Sequence, residues 1–201
     1  MKIEQTFGRT IVRIQCSDPE LYKNKELVDS VNRVFDLDEI KNFKYDGHSQ
    51  VGQGLSFCQH PYLFLNHLPG AGPLTDWITK SFLSAQSHLG KTGSTVEYKR
   101  AWGNRIFKDC EGRSHTHQGP IKLDAVGIFY TQVPENSSDL VILKHGPDGK
   151  IHSDFIDEEK YFISPKEGEL IIHDPFVPHT ITKHNNTVPR SCFVYDIVYK
   201  N

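Results

Sequence analysis

Short apolar runs, separated by polar turn residues, fill the second half of the chain. Runs rich in Val, Ile, Phe and Tyr occupy residues 95–108, 123–133, 139–145, 160–163, 168–173, 178–183 and 191–199. β-branched and aromatic residues suit a pleated, packed backbone, so each run predicts a β-strand. Between the runs lie turn-forming clusters such as Pro134-Glu135-Asn136 and Pro147-Asp148-Gly149. Their residues tolerate the backbone angles that reverse a chain. Short strands joined this way predict an antiparallel double-stranded β-helix, a jelly-roll or cupin-like barrel of two sheets with a mouth between them.

The first half follows another rhythm. Residues 10–16, TIVRIQC, predict one short strand. From Pro19 to about Phe43 the apolar residues Leu21, Leu27, Val28, Val31, Val34 and Phe35 recur at helical spacing, with Ser17 or Asp18 available as a cap. Residues 46–73 are rich in Gly, Pro, Gln and His and predict irregular structure around the apolar run Leu55–Leu65. A second helix is predicted over 74–89, where Leu74, Trp77, Ile78, Phe82 and Leu83 form one stripe and Gly90 stands just past the end. The whole is mainly β, α+β overall, and predicts a single domain over 1–201. Residues 1–93 form a helical and irregular bracing region, and residues 94–201 form the barrel core.

Composition narrows the function classes. The chain has 201 residues, of which 37% are hydrophobic, enough for a packed core. A formal net charge of -2 offers no basic excess for nucleic acid or an anionic membrane surface. No apolar run is long enough to span a bilayer, and MKIEQTFGRT lacks the apolar stretch of a signal peptide, so a cytoplasmic location is expected. Cys16, Cys58, Cys110 and Cys192 are scattered, with no CxxC pair, and predict reduced thiols.

Eleven histidines are the unusual feature. Those from His48 to His88 show no ligand spacing. His115 and His117, in GRSHTHQGP, are separated by one residue, so on a strand both imidazoles point the same way. Neutral imidazole is the commonest protein ligand for a transition metal. A third ligand must come from elsewhere, and His179 is the candidate. It heads a strand just after the turn Asp174-Pro175-Phe176-Val177-Pro178, and the four strands predicted between it and His117 let the chain cross the barrel and return. Arg190 follows eleven residues later at the start of the last strand. Projected into a barrel, its guanidinium would require a carboxylate, and no acidic residue is obviously assigned to it.

The ordered set resembles the 2-oxoglutarate- and Fe(II)-dependent dioxygenases, in particular the prolyl-hydroxylase-like branch. Trp102-Gly103-Asn104, His115-Thr116-His117, the strand from Gly127 to Tyr130 with Pro134 beyond it, Gly168, His179 and Arg190 carry the resemblance. It spans about half of the chain, from Trp102 to Tyr199. The resemblance implies that His115 and His179 bind iron, that His117 stands where a carboxylate is usual, and that Arg190 anchors the distal carboxylate of 2-oxoglutarate. Asn104 is implied as a further contact to that cosubstrate. The activity implied is that of an enzyme: oxidative decarboxylation of 2-oxoglutarate by O2, coupled to hydroxylation of an amino-acid, peptide or small-molecule substrate.

Two departures from the family pattern leave rival readings open. The donor set that favours Fe(II) is two histidines and one carboxylate, whereas three neutral histidines also suit zinc or copper. And Arg190-Ser191-Cys192 replaces the frequent Arg-x-Ser, putting a thiol where a better hydrogen-bonding hydroxyl is expected. Asp124, Asp174 or the decoy His152-Ser153-Asp154 would be the alternative sources of a carboxylate. The decoy follows a surface-hairpin turn with about two predicted strands between it and His179. The competing functions are a three-histidine cupin-type dioxygenase that does not use 2-oxoglutarate, and a non-catalytic metal- or ligand-binding barrel. Residues 46–73 and the 146–159 loop are placed to wall the mouth, and the 74–89 stripe can serve an oligomer interface as well as a core.

Overall fold

A computed structural model describes residues 1–42, 50–51, 54–58, 64–112, 114–117, 119, 121–144 and 160–201. Seven antiparallel strands form the major sheet, in the order β1 (Lys2–Thr6), β2 (Arg9–Gln15), β10 (Glu169–His173), β7 (Ala125–Gln132), β12 (Arg190–Lys200), β5 (Thr95–Ile106) and β4 (Gly54–Ser56). A smaller sheet pairs β11 (His179–Ile181), β8 (Leu140–Leu143) and β9 (Lys160–Ile163), and β3 (Gln50–Val51) pairs with β6 (Glu111–Gly112). From β5 onward the chain passes back and forth between the sheets. β5, β7, β10 and β12 lie in the major one, β8, β9 and β11 in the smaller. The segment after β6 joins the smaller sheet through a bridge between His115 and His179. This is the winding of a jelly roll, as the strand spacing predicts.

Helices cover the outer face of the major sheet. Gly103 and Gly127 face them: a Cβ on Gly103 would come within 2.8 Å of the Phe57 ring, and one on Gly127 within 2.6 Å of Phe82. Phe129 packs edge-on against Tyr22 and Trp77. Each such side chain contributes roughly 1.5–3 kcal/mol by leaving water. Since side chains alternate along a strand, the neighbours of these glycines, Trp102, Asn104, Val126 and Ile128, look the other way, into the barrel.

The bracing region differs from expectation in three places. The helix expected over 19–43 is three: α1 (Glu20–Lys23), α2 (Lys25–Asp36) and α3 (Asp38–Lys41). Asn24 interrupts it, with an extended backbone and a side chain that accepts the Leu27 N–H and donates to Gly70 O. Asparagine in this role competes with helical hydrogen bonding. Val28, counted in the apolar stripe, is 40% exposed, and Ser30 is buried instead.

The strand expected over 10–16 is β2, but β1 and the hairpin that joins them carry no sequence signal. Its two-residue turn, Phe7-Gly8, has positive φ at both positions, where Asn-Gly or Asp-Gly is the usual signature. β2 then pairs with β10, and the Arg13 guanidinium grips both oxygens of Glu169 at 2.8 Å. The second helix, α4 (Gly72–Ala85), ends in a 3-10 turn over Gln86–Leu89 that closes on Gly90 with φ +66°. Leu74, Ile78 and Phe82 of α4 are buried, so the stripe is core. Among the described residues no helix is long and apolar enough to cross a membrane.

Candidate metal centre

Backbone pairing brings the two histidine segments together. His115 and His179 exchange N–H···O bonds of 3.0 Å in both directions, and the His117 N–H donates to Pro175 O at 3.0 Å. The turn between β10 and β11 holds its own shape. Its Val177 and Phe176 N–H groups donate to the backbone and side-chain oxygens of Asp174. Its prolines have no N–H to give, which frees the chain to restart at His179. One nitrogen each of His115, His117 and His179 then lies within 4.8 Å of the others. His117 and His179 are buried, and His115 is half-buried on the open side.

Hydrogen bonding selects the converging atoms. His179 Nδ1 lies 3.0 Å from Val177 O, a group that can only accept, so Nδ1 carries the proton and Nε2 the free lone pair. His117 Nδ1 lies 2.7 Å from Asp196 Oδ1 and is protonated for the same reason. Burial pushes His179 well below the usual imidazole range, and the neighbouring imidazoles push the same way. His179 therefore offers a neutral lone pair at neutral pH. Converging imidazole nitrogens, with the second nitrogens of His117 and His179 engaged, are chemically suited to a divalent transition metal.

A fourth histidine adjoins the cluster, and the sequence singles it out by no spacing. His173, at the end of β10, is fully buried, with its ring centroid 4.9 Å from that of His179 and 6.4 Å from that of His117. Its Nδ1 donates to Asp174 O at 2.9 Å, while Nε2 has no partner among the described residues. Burial, its largest influence, lowers it to about 4. Only the sheet register, which sets His173 beside Val126 and Ile11, discloses its place.

The predicted cosubstrate residues share the inner face. Arg190, Cys192, Val194 and Asp196 alternate along β12, opposite Ile106, Asn104, Trp102 and Arg100 of β5. Arg190 is buried, its guanidinium 5.3 Å from the Tyr130 ring centroid and its Nη1 donating to Ser138 O at 3.1 Å. No carboxylate pairs with it among the described residues. Arg190 Nε, Tyr130 Oη and Asn104 Oδ1 are buried without hydrogen-bond partners there. Buried polar atoms are rarely left so, and clustered ones mark a place for a polar ligand. Burial also raises the Cys192 thiol, which keeps it protonated between Arg190 and Asn104.

The alternative carboxylates are occupied elsewhere. Asp124 Oδ2 accepts the Tyr199 N–H at 3.1 Å, and Asp174 Oδ1 accepts the Phe176 N–H at 2.8 Å. His152-Ser153-Asp154 and the 146–159 loop lie outside the described residues. Among the described residues the carboxylate that meets the histidine cluster is Asp196, bonded to His117, and the sequence reading missed it. It sits mid-strand in an apolar run, and its contact with His117 depends on tertiary placement.

No protein-family model matches the sequence, and no curated protein matches it. Solved structures of 2-oxoglutarate oxygenases share its fold. A Pseudomonas putida prolyl-4-hydroxylase superposes with TM-score 0.63 and 10% identity, covering 95% of this chain and 93% of its own. The viral collagen prolyl hydroxylase of Paramecium Bursaria Chlorella virus-1, in complex with 2-oxoglutarate, gives 0.56 and 14%, covering 93% and 94%. SnoK, a non-heme alpha-ketoglutarate-dependent carbocyclase from nogalamycin biosynthesis, gives 0.60 and 11%, covering 94% and 79%. At these identities the likeness is one of fold.

Proposed function

We propose that the chain is a non-haem iron oxygenase that couples oxidative decarboxylation of 2-oxoglutarate to hydroxylation of an amino-acid, peptide or other small-molecule substrate. One observation carries the reading. Three converging imidazoles, and a buried arginine with no carboxylate partner among the described residues, occupy the same inner face of a jelly roll. In this reading His115, His117 and His179 hold the metal and Arg190 binds the far carboxylate of 2-oxoglutarate. Tyr130 can donate its unpartnered hydroxyl to that carboxylate, and Asn104 would meet it through its amide N–H, since its unpartnered Oδ1 only accepts. Iron(II), when bound, supplies the O2 chemistry, with the balance 2-oxoglutarate + O2 + R–H giving succinate + CO2 + R–OH.

The residues contribute position and polarity. Arg190 is held rigidly by the Tyr130 ring and Ser138 O, so little side-chain entropy is lost when an anion arrives. Walls of Trp102, Val194 and Ile128 keep the inner face apolar, which strengthens the arginine–carboxylate attraction and limits side reactions.

The test is metal-dependent succinate formation from 2-oxoglutarate, together with 2-oxoglutarate binding to the iron-loaded protein. Arg190→Ala is expected to abolish both. Iron-loaded protein that binds no 2-oxoglutarate, and is indifferent to Arg190→Ala, overturns the reading. The all-histidine donor set favours one rival, a three-histidine dioxygenase that needs no cosubstrate. That rival predicts oxygen consumption with a suitable substrate and no response to 2-oxoglutarate.

A further inference from the structure

We infer that Asp196 is the positioning residue of the metal centre: it fixes His117 with Nε2 toward the metal and places behind that ring the carboxylate the donor set lacks. The inference rests on the reading of the three histidines as metal ligands.

The Asp196 carboxylate is fully buried on β12, and burying a charge costs several kcal/mol per ion unless it is paired and hydrogen-bonded. Both its oxygens are engaged. Oδ1 accepts from His117 Nδ1 at 2.7 Å, and Oδ2 accepts from Arg100 Nε at 2.7 Å and Nη2 at 2.5 Å. A carboxylate only accepts, so the bond commits the His117 proton to Nδ1 and leaves the Nε2 lone pair free. Trp102 fixes the plane of the same ring, lying nearly parallel at 23° with centroids 5.9 Å apart, and Arg100 lies over Trp102 at 5.5 Å. His117 is therefore restrained both along its hydrogen bond and across its face.

The rival account is that Asp196 merely neutralises Arg100. Their exposures argue against it. The Arg100 side chain is 41% exposed, and water would solvate it without a buried partner, whereas the fully buried Asp196 aims its other oxygen at a buried imidazole. His179 differs in kind, since its Nδ1 proton goes to the neutral carbonyl of Val177. An imidazole backed by a carboxylate is a more basic ligand than one backed by a carbonyl. His117 is thus better equipped than His179 to stand in a carboxylate's place.

The experiment titrates purified metal-free protein with Co(II), reading its visible absorption, and records 15N-histidine spectra of the same metal-free protein. Asp196→Asn is expected to weaken Co(II) binding about 10–100-fold and change the cobalt spectrum, as loss of such outer partners does. Arg100→Ala, which spares the His117 bond, is expected to stay within a few-fold of wild type. Wild-type spectra are expected to show His117 protonated at Nδ1 and bare at Nε2. Folded Asp196→Asn that binds Co(II) as tightly as wild type overturns the inference, and so does a His117 tautomer with the proton on Nε2. The tautomer measurement uses wild-type protein and decides the matter even if Asp196→Asn does not fold. Wild-type protein that binds no Co(II) counts against the metal reading, while the tautomer still tells whether Asp196 orients His117.

Discussion

The guanidinium of Arg190 lies over the ring of Tyr130, 5.3 Å from its centroid, and each side chain keeps one buried polar atom without a partner among the described residues. The two come from neighbouring strands, Tyr130 standing opposite Cys192, two residues along β12 from Arg190. A hydroxyl that makes no internal bond can be removed without breaking one. Tyr130→Phe is therefore expected to leave the melting temperature unchanged or slightly raised. It should also weaken 2-oxoglutarate binding to the metal-loaded protein about tenfold, the worth of one hydrogen bond to a charged group. Calorimetric titration beside a thermal melt separates the two effects, and unchanged affinity would remove Tyr130 from the proposed pocket.

Acid should destabilise the metal-free protein through its buried histidines. His173 is held at about 4 in the folded chain against an ordinary 6.5, because burial disfavours the charged form. The unfolded chain takes up this proton as pH drops below 6.5, while the native chain resists until about 4. Stability is thus full above 6.5 and declines as pH falls toward 4, by on the order of 3 kcal/mol from this residue. His179, also lowered, adds to the trend in the same direction. Urea midpoints measured with chelator at several pH values between 7 and 4.5 are expected to fall, and less steeply in His173→Leu. Equal slopes in the two proteins would refute the assignment.

Chelation should lower thermal stability and metal should restore it. A ligand that binds only the folded state stabilises it by about 2.7 kcal/mol at a hundredfold excess over its Kd. Melting of wild type with and without added Fe(II) or Co(II) under anaerobic conditions is expected to differ by several degrees. His179→Ala should abolish the difference. A shift of the same size in His179→Ala would place the metal elsewhere.

Gly127 marks where the helical layer meets the sheet. A methyl there would stand 2.6 Å from the Phe82 ring and 3.2 Å from Leu170, both fully buried and unable to retreat. Gly127→Ala is expected to cost about 1–3 kcal/mol, the usual penalty of overpacking, read as a drop in urea midpoint with metal stoichiometry intact. Gly72→Ala, where nothing lies within 4 Å, serves as the neutral control.

Much of this architecture is written locally. The strands over 125–132, 160–163 and 169–173 are legible because β-branched and aromatic composition, bounded by turn residues, is a property of each segment alone. The histidine pair is legible for the same reason, since a spacing of two is a statement about one strand. Likewise Arg190 draws notice as a charge heading a strand of apolar residues. The helix over 19–43 misleads because apolar spacing does not reveal that Asn24 has a backbone partner in Gly70, 46 residues away. The Phe7-Gly8 turn escapes because the pairing of its strands imposes a positive φ on Phe7, a residue that does not favour it.

What only the tertiary structure decides is who faces whom. Asp196 and His117 are 79 residues apart, joined through the register of β12 and the loop stitched to Pro175. His173 stands beside the cluster because β10 ends level with the mouth, and Tyr130 reaches Arg190 because β7 and β12 are adjacent. Sequence patterning determines which segments become strands. Sheet order and register then determine which buried groups meet, because those depend on contacts between segments that no local pattern encodes.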